Sequence, residues 1–499
     1  MDQQKIAKVI LLDEVNCVVH GLEPRHVKYF NKFYAKKVEG YYFSPLYKLG
    51  KWDGTIKFFM KTGKTYINLL PEILPKIRQF EYKIQLDDRR VNSNVFPNKI
   101  TDQYFAHILD PETQKPIILR DYQVDLVNVL LEEGGGIGIA ATGAGKTFMV
   151  TALVDCYGKH DFPTMTIVPS QDLITQTKRV MEFLGLDVGE YSGDTKDLEH
   201  LHVVSTWQAL QNNPTILSRF KVVVVDECHG AKAKILNDLL IQHGANIVHR
   251  FGVTGTLPKN ETDAMSIQVA LGDVKYEINA KTLIDQDYLA KLHINIFQLE
   301  EDLTAQYDEY LQIPLEERED LTYKQFKDAY FPEHSAEKRY LQSNKARIQW
   351  IADLINTKRD MKKGNIFCLV GSIQFGKKLT KLIPGAIFVH GPDDKDVRQQ
   401  VYSLFKDNDN LVVIATVHIA GTGLDIKRIF NLMLIDLGRS FIRTIQTIGR
   451  GLRKAEDKDF VDVSDVCSDL KYSRTHVRER MKFYREAGYP FKKIPVKYE

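Results

Sequence analysis

With 499 residues, 43% of them hydrophobic and 27% charged, the chain has apolar content for about three domains with buried cores, which excludes disordered, collagen-like and disulfide-framework classes. The net charge is only +3, and no apolar run approaches the roughly 18 to 20 residues of a membrane span, so no membrane partner is expected. The start MDQQKIAKVILLDEV predicts no signal peptide and a cytoplasmic location, and five scattered cysteines (Cys17, Cys156, Cys228, Cys368 and Cys467) without a C-x-x-C pair predict reduced core thiols.

Residues 1–110 read as a small mixed α/β unit with an apolar-periodic helix near Pro71 to Phe80. Between Arg25 and Lys83 roughly 13 basic residues face 4 acidic ones, and between Lys471 and Lys497 roughly 9 face 2, so the two ends are basic and the remainder acidic. A basic surface at each end suits a polyanion partner, although a charge cluster is as often a solvated face. From Tyr41 to Phe59 lysines alternate with aromatics. That pattern predicts strands of a small sheet around Trp52, with Asp53-Gly54 as the hairpin turn, most rings in the core, and Lys48, Lys51, Lys57 and Lys61 outside as nucleic-acid contacts.

From residue 111 to 285 short β-rich runs (GIGIA, TMTIVP, HLHVVST, KVVVVDE, HRFGVTGT) alternate with helical periodicity, which predicts a parallel sheet covered by helices. Ala140-Ala141-Thr142-Gly143-Ala144-Gly145-Lys146-Thr147 follows a predicted strand and opens a predicted helix, the context of a P-loop. There, glycine backbone approaches phosphates, Lys146 reaches the β and γ phosphates, and the Thr147 hydroxyl ligates Mg²⁺. Thr62-Gly63-Lys64-Thr65 has the same core spelling, but Phe58 stands at its upstream glycine position and no helix pattern follows. It reads as a turn. Val222 to Val225 form an apolar strand ending in Asp226 and Glu227. Asp226 can hold Mg²⁺ and Glu227 can activate the attacking water, whereas the bland alternative is a helix cap or a surface charge.

Residues 286–470 begin with a polar, charge-rich segment from about Glu300 to Arg347, which reads as mostly helical. A second alternating series follows (NIFCLV, AIFVH, LVVIAT, NLMLIDL). Residues 471–499 read as a basic tail. Two α/β units in tandem are expected to bind ligand in a cleft at the carboxyl ends of their strands.

Asp226-Glu227-Cys228-His229 resembles the DExH box of superfamily-two helicases, and further motifs of that family follow in order from about Arg120 to Arg453. The resemblance implies two tandem RecA-like parallel-sheet domains behind a small N-terminal α+β accessory domain. Arg120-Asp121-Tyr122-Gln123 resembles the glutamine motif, which implies that Gln123 reads adenine beside Arg120. Thr142, Gly143, Ala144 and Gly145 would line the phosphates. Pro169, Ser170, Gln171, Thr206 and Gln208 resemble motifs that grip a nucleic-acid backbone, and Thr254-Gly255-Thr256 resembles the motif that couples ATP turnover to strand movement, with His229 as its link to the ATP site. In the second unit Gly371, Ser372, His390, Thr416 and Thr422 would meet the backbone, and Gly423 and Asp425 the nucleotide. Gln446, Arg450 and Arg453 resemble the final motif, whose arginines at i and i+3 share a helix face and imply arginine fingers.

Within this superfamily the N-terminal phrases Gly40 to Pro45 and Gly50 to Gly54 are similar to phage helicases of recombination and branch migration. The expected protein is therefore an ATP- and Mg²⁺-dependent DNA helicase acting on forked or branched DNA in a host cytoplasm. An RNA helicase, a duplex translocase that does not unwind, and an ATP-gated nucleic-acid-binding switch are its rivals.

Overall fold

The computed structural model describes residues 5–498, apart from 91–93, 112, 194, 231–234, 236, 259, 391–399, 402, 406–407, 418–427 and 439–457. The chain forms two compact units, Met1–Ala141 with Gly145–Ile278, and Asn279–Glu499 with Thr142–Ala144.

The first unit is built on a seven-stranded parallel sheet. Its strands are β1 (Gly135–Ala140), β2 (Thr164–Val168), β3 (Val188–Tyr191), β4 (His202–Thr206), β5 (Val222–Asp226), β6 (His249–Thr254) and β7 (Val274–Ile278), in the order β7-β1-β6-β5-β2-β4-β3. Every residue of β2, β4, β5 and β6 is buried, which is why these runs do not alternate between apolar and charged residues as a half-exposed strand would. Consecutive parallel strands need crossovers, and the helices Lys146–Gly158 and Gln171–Phe183 supply two of them.

The N-terminal residues form a four-stranded sheet in the order Lys64–Tyr66, Asn16–His20, Ile6–Leu11, Lys83–Asp88. Its core is continuous with that of the parallel sheet rather than separate from it. Polar contacts fasten the two together: Thr262 Oγ1 donates to the Lys37 carbonyl at 2.5 Å, Asn68 Nδ2 to Val269 at 3.0 Å, and Lys36 pairs with Glu261 at 2.9 Å. Thr62-Gly63-Lys64-Thr65 is indeed a turn entering a strand, with Gly63 at φ 85°.

The aromatic stretch departs from expectation. Tyr41–Phe43 is a 3-10 turn and Pro45–Lys48 a helical turn, because Pro45 starts a helix readily and Gly40 and Gly50 take positive φ at its flanks. Only Phe58 and Phe59 are core, whereas Tyr42 is 54% and Phe43 70% exposed beside exposed Leu46 and Leu49. Asp53-Gly54 is no tight hairpin, since Thr55–Lys57 pairs with the distant Ala35–Lys37.

The second unit holds another seven-stranded parallel sheet. Its strands are β8 (Lys291–Leu299), β9 (Ile366–Val370), β10 (Ile387–Val389), β11 (Val412–Thr416), β12 (Asn431–Ile435), β13 (Phe460–Ser468) and β14 (Phe491–Val496), ordered β10-β11-β9-β12-β13-β8-β14. The expected basic tail is instead a helix, Lys471–Glu486, followed by the edge strand β14. Ser473, His476, Val477, Arg480, Phe483 and Tyr484 are buried along one helical face, a period that the basic count conceals. The charge-rich segment contributes helices Thr304–Leu311, Tyr323–Ala329 and His334–Leu341, which pack around Leu303, Phe326, Phe331 and Leu341 against Leu470. All five cysteines are buried free thiols. No described helix is long and apolar enough to cross a membrane.

Candidate active site

Between β1 and the helix that opens at Lys146, Gly143 and Gly145 take φ of 90° and 79°, so the backbone turns sharply and aims the first helical N–H groups outward. Gly145 also lies against Gln123, since a Cβ there would come within 2.5 Å of Gln123 Nε2 and displace it. Gln123 is buried, and its Oε1 accepts from the Arg120 N–H at 2.9 Å, closing a reciprocal cap at the start of helix Asp121–Glu133. Arg120 donates to the Tyr122 hydroxyl at 2.8 Å. The glutamine motif and the P-loop therefore touch directly.

Glu227 follows the end of β5 with φ 50°, a left-handed conformation rare for a residue with a side chain. That twist turns its carboxylate back toward the P-loop, where Oε1 sits 3.2 Å from Lys146 Nζ. Its other oxygen lies 3.3 Å from His229 Nδ1 without a well-formed hydrogen bond. His229 Nδ1 also meets Thr254 Oγ1 at 2.7 Å, and Thr254 donates to the Thr256 carbonyl at 2.9 Å. Burial pushes Asp226 up to about 7, helped by the adjacent Glu227 charge. Glu227 is held well below the usual carboxylate range: its own burial works against this, and Lys146 and His229 outweigh it. Lys146, Asp226, Glu227, His229 and Thr254 thus form one contiguous cluster.

That cluster fits a nucleotide with its metal. Asp226 is a buried carboxylate short of a cation, and one carboxylate with one hydroxyl, Thr147, is the sparse oxygen set Mg²⁺ uses when phosphates and waters complete its shell. The described residues hold no group of three or more His, Cys, Asp or Glu suited to a metal.

The residues expected to grip a nucleic-acid backbone lie at strand ends. Ser170 Oγ accepts from Leu173 N at 3.4 Å and Thr206 Oγ1 from Ala209 N at 3.3 Å, each capping the helix that follows β2 or β4. Pro169 is half-buried, and Gln171 and Gln208 are exposed beside them, Gln171 donating to Glu190 at 2.7 Å. In the second unit Gly371 and Ser372 follow β9, with Ser372 capping helix Ile373–Lys381; His390 follows β10, and Thr416 ends β11. Thr422, Gly423, Asp425, Gln446, Arg450 and Arg453 lie outside the described residues. Lys48 and Lys51 are exposed, whereas Lys57 is tied to Asp53 at 2.9 Å.

Sequence reading passed over a second strand-end carboxylate. Asp436, after β12, has φ 48°, and its two oxygens each accept from the fully buried Arg347 at 2.7 Å. Arg347 also donates to buried Glu301 at 3.0 Å, and the Tyr498 hydroxyl donates to that same carboxylate. The available signal was the run NLMLID, which ends in a carboxylate as VVVVDE does.

Residues 116–259 match the family described as the type III restriction enzyme res subunit, residues 8–87 the N-terminal domain of the DNA helicase UvsW, and residues 346–455 the helicase conserved C-terminal domain. The chain is 24% identical over 451 residues to the ATP-dependent DNA helicase uvsW of Enterobacteria phage T4, covering 87% of this chain and 85% of that protein. It is 23% identical over 468 residues to the DNA 3'-5' translocase XPB2 of Sulfurisphaera tokodaii, covering 88% and 99% respectively. The solved structure of the type ISP restriction-modification enzyme LlaBIII bound to DNA superposes with a TM-score of 0.52 at 14% identity, over 86% of this chain and 34% of that one, a likeness of fold. With two RecA-like parallel sheets in tandem and matches along most of its length, the chain belongs to the superfamily-two helicases, nucleic-acid-dependent ATPases, and resembles UvsW.

Proposed function

We propose that this protein is an ATP-driven DNA helicase or translocase that remodels forked or branched DNA in a host cytoplasm. The observation that carries the reading is the Lys146–Glu227–His229–Thr254 chain, in which a phosphate-seeking cation, a carboxylate base and a coupling hydroxyl touch in sequence. When ATP arrives, Lys146 exchanges Glu227 for the β and γ phosphates. Glu227 is then free to orient a water and take its proton as the oxygen bonds to the γ-phosphorus and the bridging P–O bond breaks. Thr147 and Asp226 would hold Mg²⁺, whose charge neutralises the phosphates. Gln123 and Arg120 would bind the base, with the P-loop residues Thr142 to Gly145 around the phosphates. Gln446, Arg450 and Arg453 would complete the site, the two arginines stabilising the transferring phosphoryl group, and Gly423 and Asp425 would bind the nucleotide, Asp425 at its ribose.

His229 and Thr254-Gly255-Thr256 would pass the change to the backbone-gripping set: Pro169, Ser170, Gln171, Thr206, Gln208, Gly371, Ser372, His390, Thr416 and Thr422. The exposed Lys48 and Lys51, together with Lys57, would hold duplex or junction arms by their phosphates. Such contacts read no sequence and weaken with salt.

The test is steady-state ATP hydrolysis with single-stranded, blunt, forked and four-way DNA and matched RNAs at one salt concentration. Strongest stimulation by branched DNA, abolished by Glu227→Gln, is the expected result. Stimulation by RNA alone overturns the DNA assignment, and stimulation by nothing overturns the motor.

A further inference from the structure

The charge-rich segment 300–347 carries no helicase motif, yet its third helix and the residues after it close around the loop that follows β9. Lys338 Nζ donates to the Gly371 carbonyl at 3.3 Å, and the Ser372 hydroxyl donates to Gln342 Oε1 at 2.9 Å. Lys378, on the helix that Ser372 caps, donates in turn to the Gln342 carbonyl at 3.1 Å. Beside these contacts lies a shallow depression lined by His334, Lys338, Gln342, Leu437 and His476 among others. The two carboxylates that also line it are already engaged: Glu337 accepts the Tyr472 and Ser473 N–H groups at 2.8 and 2.6 Å, and Asp436 is held by Arg347. Lys338 is half-buried, and among the described residues its ammonium spends one of its three donors, on the Gly371 carbonyl.

We infer that Lys338 is an additional phosphate ligand of the nucleic-acid track and that Gln342 is a positioning residue that fixes the Ser372 cap. The inference rests on the reading that the Gly371-Ser372 loop faces a nucleic-acid backbone. A Cβ built on Gly371 would come within 3.8 Å of Lys338 Nζ, so a phosphate oxygen over that loop falls within reach of the ammonium. Ser372 accepts from Phe375 N at 3.2 Å while its proton goes to Gln342, so the hydroxyl is locked in both directions. The phosphate is therefore left to the first-turn N–H groups and to Lys338. Segment 300–347 thus serves as the wall of this track and supplies its charge.

The two roles predict different salt behaviour. Forked DNA binding by the full chain is measured by fluorescence anisotropy across a range of NaCl concentrations. Lys338→Ala is expected to weaken binding several-fold and to reduce the slope of log affinity against log salt by about 0.7 to 0.9, the loss of one phosphate contact. Lys338→Arg restores that slope. Gln342→Ala weakens binding with the slope unchanged, because no charge is lost. Thermal unfolding midpoints within a few degrees of wild type confirm that the variants are folded. A Lys338→Ala protein with the wild-type slope overturns the ligand role, and a Gln342→Ala protein with wild-type affinity overturns the positioning role. If the wild-type chain binds no nucleic acid, this inference and the reading beneath it both fall; if it binds and the variants match it, only this inference does.

Discussion

Two carboxylates occupy equivalent places in the two parallel sheets and have opposite surroundings. Glu227 and Asp436 each stand at the exit of a central buried strand in the left-handed conformation, at φ 50° and 48°. Asp436 has both oxygens filled by one buried guanidinium. Glu227 has a single lysine contact and a loosely met histidine. The same backbone twist therefore serves two ends. Where both oxygens are met it ties elements into a scaffold, and where one oxygen lacks a good partner it keeps a base poised for an incoming water.

The sharpest way to break the comparison is to neutralise each carboxylate and ask which loss is chemical and which is structural. Glu227→Gln should lower ATP turnover by about 10²- to 10⁴-fold, the range of a lost general base, while lowering the denaturation midpoint only a little at neutral pH. Arg347→Met should do the reverse, costing about 3 to 5 kcal/mol in chemical unfolding because Glu301 and Asp436 remain buried without their cation. Neutralising the whole set, Arg347→Met with Glu301→Gln and Asp436→Asn, should recover most of that loss.

Linkage to pH distinguishes the two adjacent carboxylates of the P-loop cluster. Asp226 is held up to about 7 by burial and by Glu227, against roughly 3.9 when unfolded. Between those values the native chain keeps a proton that the unfolded chain has released, so stability falls as pH rises, by at most about 1.4 kcal/mol per unit. Asp226→Asn should flatten the trend in urea midpoints from pH 5 to 7. Glu227 works oppositely: held low, it adds stability above its ordinary value near 4.3, which is lost in stronger acid. Thr254→Ala, which removes the hydroxyl at His229, should change strand displaced per ATP by about fivefold, the worth of one hydrogen bond. Smallest of all, Lys48→Ala should weaken DNA binding modestly and reduce its salt slope by about 0.9, the loss of one duplex contact.

Much of this architecture is legible in the order of residues because strands buried on both faces leave an unbroken apolar run. TMTIV and VVVVD announce a covered parallel sheet, and the glycines before Lys146 announce a phosphate turn. Other features depend on distance along the chain. Arg347 meets partners 46 and 89 positions away, and Glu301 meets Tyr498 across 197, separations that no local pattern encodes. The aromatic stretch after Gly40 fails for a different reason. Its alternation matches a strand, but Pro45 and its glycine flanks favour a helical excursion that leaves Tyr42 and Phe43 exposed. The helix from Lys471 was hidden by its own charges, since Arg480 enters the core paired with Asp465 at 2.8 Å rather than facing solvent.

The five buried thiols have a practical consequence. Burial raises the pKa of each one, Cys17 to about 12, so almost no thiolate is present at neutral pH and maleimides or mild oxidants meet no native thiol on the folded surface. A single cysteine placed at an exposed site such as Glu316 would then react alone. Fluorophores can thus be attached to this protein for watching individual molecules at work on DNA, with its native cysteines left in place.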